Sequence, residues 1–381
     1  MAVGNQVEKP RFFIDLLNYN YHIGNFAVAH TSWQTDPLPI KPEIFDFNPT
    51  SRYYISTAQG PEYIKLAFKN PITVPSNAKM FVAILGHGFH TQQLQFKVNI
   101  GTSVEGFGGD NSDYEHEDQT ATANLVNCNS DGTRFTCDYN GWSLATFTPS
   151  LNKNIVNFHI TLQVIDNSAN PFTTQIGSIA LGYVYEPEFH ADLAVTQRRI
   201  MDGVKQKQTK GGSTYSVINH IKPPNWWNST PFELYTHNSF KYKNSRLGRR
   251  SWDVRFSQLQ DRFYTDGVPN GVFPANELVG THEADLLNGG YTDGEDVTVT
   301  ENADGTTPAT GDFNYNINSD NSLYSTVYHN TLNGTLPFLF SPSQDNSPGN
   351  FAICRFDKPG FQVQQKTYKK FNVKMRINET W

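Results

Sequence analysis

Apolar and polar residues alternate with a period of two over much of the first half of the chain. Ile64, Leu66 and Phe68 are spaced this way, as are Leu94, Phe96, Val98 and Ile100. Val156, Phe158, Ile160, Leu162 and Val164 form the longest such run. Successive side chains of a strand point to opposite faces, so each run predicts a strand with one buried face. Residues 12–17 predict an opening strand and residues 176–185 a closing one. The run MFVAIL at 80–85 is apolar at every position and is closed by Gly86. It predicts a central strand covered on both faces. A two-sheet sandwich is the economical architecture for this set.

A Pro-containing joint at 186–189 opens the second half. TKGGS at 209–213 predicts a hairpin turn, because paired glycines supply the positive φ that tight hairpins require. Pro223 and Pro224 fix an extended entry to Trp226 and Trp227, which as neighbours on a strand would face opposite ways. Trp252, Val254 and Phe256 alternate within RRSWDVRFSQL and predict a strand. Leu323, Val327, Thr331 and Leu332 follow a 3.6-residue period, with Asp320 or Ser322 as cap and Gly334 as stop, which predicts one helix. Strands at 336–340, 351–356 and 363–377 close the chain. The expectation is a mainly-β protein of two sandwich domains, 1–186 and 187–381, the second with one packed helix.

Composition supports this reading. The chain has 381 residues, long for one core, and is 13% aromatic but only 17% charged, with 28 Gly and 21 Pro as punctuation. No run approaches the roughly 20 apolar residues that span a bilayer, and the first ten residues lack the features of a secretory signal. We therefore expect a soluble chain without membrane insertion. Cys128, Cys137 and Cys354 show no metal-ligand spacing; Cys128 and Cys137 permit a loop-closing bridge, but free structural thiols are the plainer reading. A pI near 6.0 argues against general nucleic-acid binding. The charge is unevenly spread: residues 263–320 hold eleven Asp and Glu and no Lys or Arg, so the net −6 is −11 from this block and +5 from the rest.

Motifs for catalysis are lacking: there is no nucleophile elbow, zinc-protease helix, phosphate loop or dinucleotide fingerprint. Asp110, Asp113, Glu115, Glu117 and Asp118 surround His116 on a Gly-rich stretch that has the chemistry for Ca²⁺ but matches no calcium-loop spacing. A solvated acidic loop is the plainer reading, and no cofactor is expected. His87 and His90 are spaced as a metal pair, although histidines at strand ends are common. Three function classes fit: a structural subunit of a large assembly; a carbohydrate-binding module in which Trp33, Tyr139 or Trp142 stacks on a sugar; and a glycan-cleaving enzyme using paired carboxylates. Trp226, Trp227, Tyr235 and Trp252 are candidate anchors of a core or an interface. Arg246, Arg249 and Arg250 are the basic counterpart to the acidic block, and pairing of Arg249 or Arg250 with that block on another subunit is expected under the first class.

Five segments carry a family resemblance: FVAILGH at 81–87, PPNW at 223–226, LGRRSWDVRFS at 247–257, TLPFLFSP at 335–342 and FAICRF at 351–356. Together, from about residue 60 to the end, they resemble virion proteins of tailed bacteriophages. The resemblance implies a non-enzymatic virion component in the tail tip or baseplate. It further implies an N-terminal jelly roll of the galactose-binding kind for attachment and a C-terminal sandwich like those of tail-tube and distal-tail subunits. Such a subunit would assemble with itself as a ring, extend hairpins such as 205–216 to neighbours, and contact other tail proteins and a host surface glycan. A surface glycan-binding protein and a head or connector subunit are the alternatives. The 58-residue acidic block departs from the family pattern.

Overall fold

A computed structural model describes residues 9–31, 38–39, 42–58, 61–73, 78–101, 116–118, 121–149, 154–165, 170–187, 190–192, 195–218, 248–260, 322–367 and 370–380. The chain is mainly β, as its alternating patterns predict. Eight of the strands in the first half build its two main sheets. Arg11–Asp15, Ser178–Tyr185, Met80–His87 and Gly141–Phe147 are neighbours in one sheet, and Glu62–Thr73, Asn154–Val164, Leu94–Gly101 and Arg134–Cys137 lie side by side in the other. Numbered in chain order, these are strands 1, 8, 3 and 6 facing 2, 7, 4 and 5, all antiparallel. That order is the two-Greek-key jelly roll.

The period-two residues meet between these sheets. Val82, Ile84 and Leu181 pack in one cluster with Ile64, Leu66, Phe158, Ile160 and their neighbours. Each such side chain stabilises the fold by about 1.5–3 kcal/mol on burial. Met80–His87 is buried at every position, and Phe81, Ala83 and Leu85 lie with Trp142 and Leu144 in a separate cluster on its second face. Gly86, at φ 68°, is the extra residue of a bulge opposite Gly141 and Trp142, so the strand continues through His87.

The strand Arg11–Asp15 is a seam. One edge pairs with Ser178–Tyr185, while the other pairs with Phe338–Ser341, where Phe12 lies opposite Phe340. From there the same sheet runs on through Ala352–Phe356, Lys370–Glu379, Arg249–Gln260 and Thr196–Ile200, giving eleven strands in all. Phe12 and Ile14 share a cluster with Trp252, Val373 and Ile377, whereas Phe13 points the other way to Phe81 and Phe351. Sheet and core are thus continuous across the division expected after residue 186. Gly182 allows the seam to close, because a Cβ there would lie 2.0 Å from the Ile14 carbonyl oxygen.

Two local expectations are corrected. The opening strand stops at Asp15, and Leu16–His22 is an α-helix. Asp15 Oδ1 caps it by accepting from Leu17 N at 2.9 Å, and also accepts from Leu181 N at 3.1 Å. The helical segment near Leu323 is in its expected place, and Ser322 Oγ accepts from Ser325 N at 3.1 Å. Its turns, however, are a π-turn over Tyr324–Tyr328 and a 3₁₀-turn over His329–Thr331. The stop begins at Leu332 rather than Gly334, since Leu332, Asn333 and Gly334 all have positive φ. Tyr328 stacks on Phe356 with centroids 4.8 Å apart, which seats this segment on the second half of the sheet.

Candidate functional site

Strand alternation decides where the candidate residues go. Arg250 and Trp252 are two apart on the strand Arg249–Gln260, and both are buried. Trp252 is a core anchor, packed 5.2 Å from Phe340 between ring centroids. Arg250 faces Glu379, which is also fully buried: Nη2 donates to Oε1 at 2.9 Å and Nε to Oε2 at 3.2 Å. Nη1 also donates to the Gly349 carbonyl and Nη2 to the Phe351 carbonyl, and the guanidinium lies 4.9 Å from the Trp252 ring. Arg250 is therefore no surface charge awaiting a partner subunit; Glu379, distant in sequence, already occupies its fork. Arg249 points outward and is paired with Asp202 at 2.7 Å.

Trp142 is also misplaced by the sugar-stacking expectation. It is fully buried against Phe351, because its strand is covered on both faces. Tyr139 is half-buried beside the His90 ring, with centroids 6.4 Å apart. His87 and His90 do not form a metal pair. The His87 ring is buried against Phe89 with Nε2 3.1 Å from Ser143 Oγ, and burial lowers its pKa to about 3. His90 Nδ1 instead meets the Cys137 carbonyl at 3.1 Å. Cys128 and Cys137 face each other across a ladder as free thiols, and burial pushes Cys128 up to about 12 and Cys137 further. Among the described residues no group of three or more His, Cys, Asp or Glu can hold a metal. Trp33, Trp226, Trp227, Tyr235, Arg246, the acidic block 263–320 and the side chains of the 110–118 cluster lie outside the described residues.

The most conspicuous surface element is an arm at the end of the eleven-stranded sheet. Thr196–Ile200 is the terminal strand there, and the chain then turns into Val204–Gln208 and Thr214–Ile218, which pair only with each other. TKGGS makes the turn, with Gly212 at φ 86° and Thr209 N donating to the Ser213 carbonyl. Every residue from Arg198 to Val217 is exposed. Among them are Ile200, Met201, Val204, Tyr215 and Val217, each about 38–48% accessible. Register places Lys205 opposite Val217 and Lys207 opposite Tyr215, so one face of the hairpin alternates lysine with apolar residues. Residues 203–218 contain three Lys and no Asp or Glu. A two-stranded hairpin alone in water is marginally stable, and its exposed apolar residues gain by being covered.

A second surface feature is a cleft of about 170 Å³ between the strand Phe172–Ile176 and the turn that follows Met80–His87. Tyr54, Thr173 and Gln175 line one side of it and Thr91 and Gln92 the other. Tyr54 escaped sequence reasoning because Tyr53 and Tyr54 are adjacent and only pairing reveals which faces water. The pairing of Tyr53–Thr57 with Phe172–Ile176 turns Ile55 inward and leaves Tyr54 at 69% exposure.

No helix among the described residues is long and apolar enough to cross a membrane. No protein-family model matches the chain, and no curated protein matches its sequence.

Proposed function

We propose that this chain is a non-catalytic structural subunit of a virus particle, joined to copies of itself through the basic, apolar hairpin arm. The observation that carries the reading is the arm. It leaves the sheet at a terminal strand, pairs with nothing else among the described residues, and exposes Tyr215 and Val217 beside Lys205 and Lys207. Obligate interfaces resemble a core cut in half, and this face has apolar residues to bury and charges to set the register. The jelly roll beneath it is an architecture of many capsid and lectin domains. Fold alone does not assign function, so the arm is the stronger support.

The proposed neighbour is a second copy of the chain, whose acidic block carries −11 and complements the arm's lysines. This role for Lys205, Lys207 and Lys210 replaces the one expected of Arg249 and Arg250. Resemblance to tailed-phage virion proteins favours a tail-tip or baseplate ring that contacts other tail proteins; a head or connector position is the alternative that jelly-roll topology favours. The test is negative-stain imaging of purified full-length chain at low and high salt. Closed rings or shells that dissociate as salt rises support the reading, and a monodisperse monomer at every protein and salt concentration contradicts it.

A further inference from the structure

The cleft beside Tyr54 is built from fixed walls. On one side the ladder Tyr53–Thr57 with Phe172–Ile176 is held by five paired positions and by a Ser56–Thr173 hydroxyl contact of 3.0 Å. On the other, Asn140 grips the turn: its Oδ1 accepts from Thr91 N at 3.1 Å and its Nδ2 donates to Thr91 Oγ1. Gln92 N closes the turn onto the Gly88 carbonyl at 3.2 Å, and Leu94 N donates to the Phe89 carbonyl at 2.9 Å. Walls held by this many hydrogen bonds bind a ligand with little loss of conformational entropy.

The lining specifies a chemistry. It has one broad aromatic face, Tyr54, surrounded by the neutral donors and acceptors of Gln92, Gln175, Thr91 and Thr173. Among the described residues no Asp, Glu, Lys or Arg lines it, which disfavours phosphates, carboxylates and cationic side chains. A pyranose satisfies these demands together: its C–H face covers an aromatic ring while its hydroxyl groups exchange hydrogen bonds with amides and threonines. The volume admits one ring.

We propose that this cleft binds a single neutral sugar residue, stacked on Tyr54 and hydrogen-bonded by Gln92 and Gln175. The site is separate from the arm and does not rest on the assembly reading. The experiment is saturation-transfer NMR on the full chain with the methyl glycosides of glucose, galactose, mannose and N-acetylglucosamine, and with N-acetylneuraminic acid as the charged comparison. Saturation should reach the ring protons of one face of at least one neutral glycoside and favour it over the acid. Tyr54→Ala, at an exposed position, should weaken that binding about tenfold, and Gln175→Ala by about three- to tenfold. Tyr215→Ser on the arm should leave it unchanged. The proposal is overturned if no neutral glycoside receives saturation, if the acid binds as well, or if Tyr54→Ala binds like the parent while its thermal midpoint is intact.

Discussion

Two stretches of this chain carry the same kinds of residue and have opposite fates. RRSWDV at 249–254 and the hairpin at 204–218 both mix basic with aromatic or aliphatic side chains on β-strands. In the first, Arg250 and Trp252 are sealed inside the sheet; in the second, Lys205, Lys207 and Tyr215 stand in water. The difference lies in what each strand meets. Arg250 finds a buried carboxylate at Glu379 and two carbonyls to take up its donors. Nothing from this chain among the described residues pairs with the hairpin except its own second strand. A satisfied buried charge locks a fold, and a basic apolar surface with nothing over it invites a partner.

Removing the buried charge should have the largest effect on stability. Arg250→Ala leaves Glu379 unpaired in the interior and should cost about 3–5 kcal/mol, seen as a fall in the urea midpoint. A loss below 1 kcal/mol would mean that the pair is solvated after all.

Asp15 offers a contrast, because Oδ2 is buried without a hydrogen-bond partner and burial raises its pKa to about 7. The folded state therefore holds its proton more tightly than the unfolded chain. The stability this gives is present below the unfolded carboxyl pKa, near 4, and is lost as pH rises through 7. Asp15→Asn should thus gain stability relative to the parent between pH 4 and 7, by on the order of 2–4 kcal/mol. His87, held near 3, acts with the opposite sign, favouring the fold above its unfolded value and not below. It is common to both proteins, so the difference between their urea curves isolates Asp15. A pH-independent difference would contradict the assignment.

Gly182→Ala forces a Cβ onto the Ile14 carbonyl and should cost about 1–3 kcal/mol or more. Calorimetry of the variant should give one lowered transition, because the seam serves both halves; two separated transitions would show that they unfold independently. The smallest effect on stability belongs to the arm. Lys205→Glu with Lys207→Glu should change the urea midpoint by an amount worth less than about 0.5 kcal/mol while abolishing association. A large loss of stability would mean that the arm packs on its own subunit.

Much of this was legible in the sequence, for a physical reason. Period-two runs such as 156–164 and the all-apolar 80–85 encode their faces locally, and TKGGS encodes its own turn. What escaped depends on partners distant in the chain. Leu16 and Leu17 extend an apolar run that serves strand or helix equally well, and the Asp15 cap decides between them. Whether Trp142 is a sugar platform or core depends on a second covered face, and whether Arg250 is surface or interior depends on Glu379. Tyr54 was missed because its neighbour Tyr53 competes for the inward position until Phe172–Ile176 fixes the register.

In the proposed assembly the exposed arm joins one copy of the chain to another. Light scattering of the full chain beside the Lys205→Glu, Lys207→Glu, Tyr215→Ser variant tests it most directly, at low salt and equal concentration. The parent should give a large species of defined mass and the variant a monomer of about 43.0 kDa, with the same thermal midpoint for both. Equal masses for parent and variant, whether both monomeric or both assembled, would contradict it.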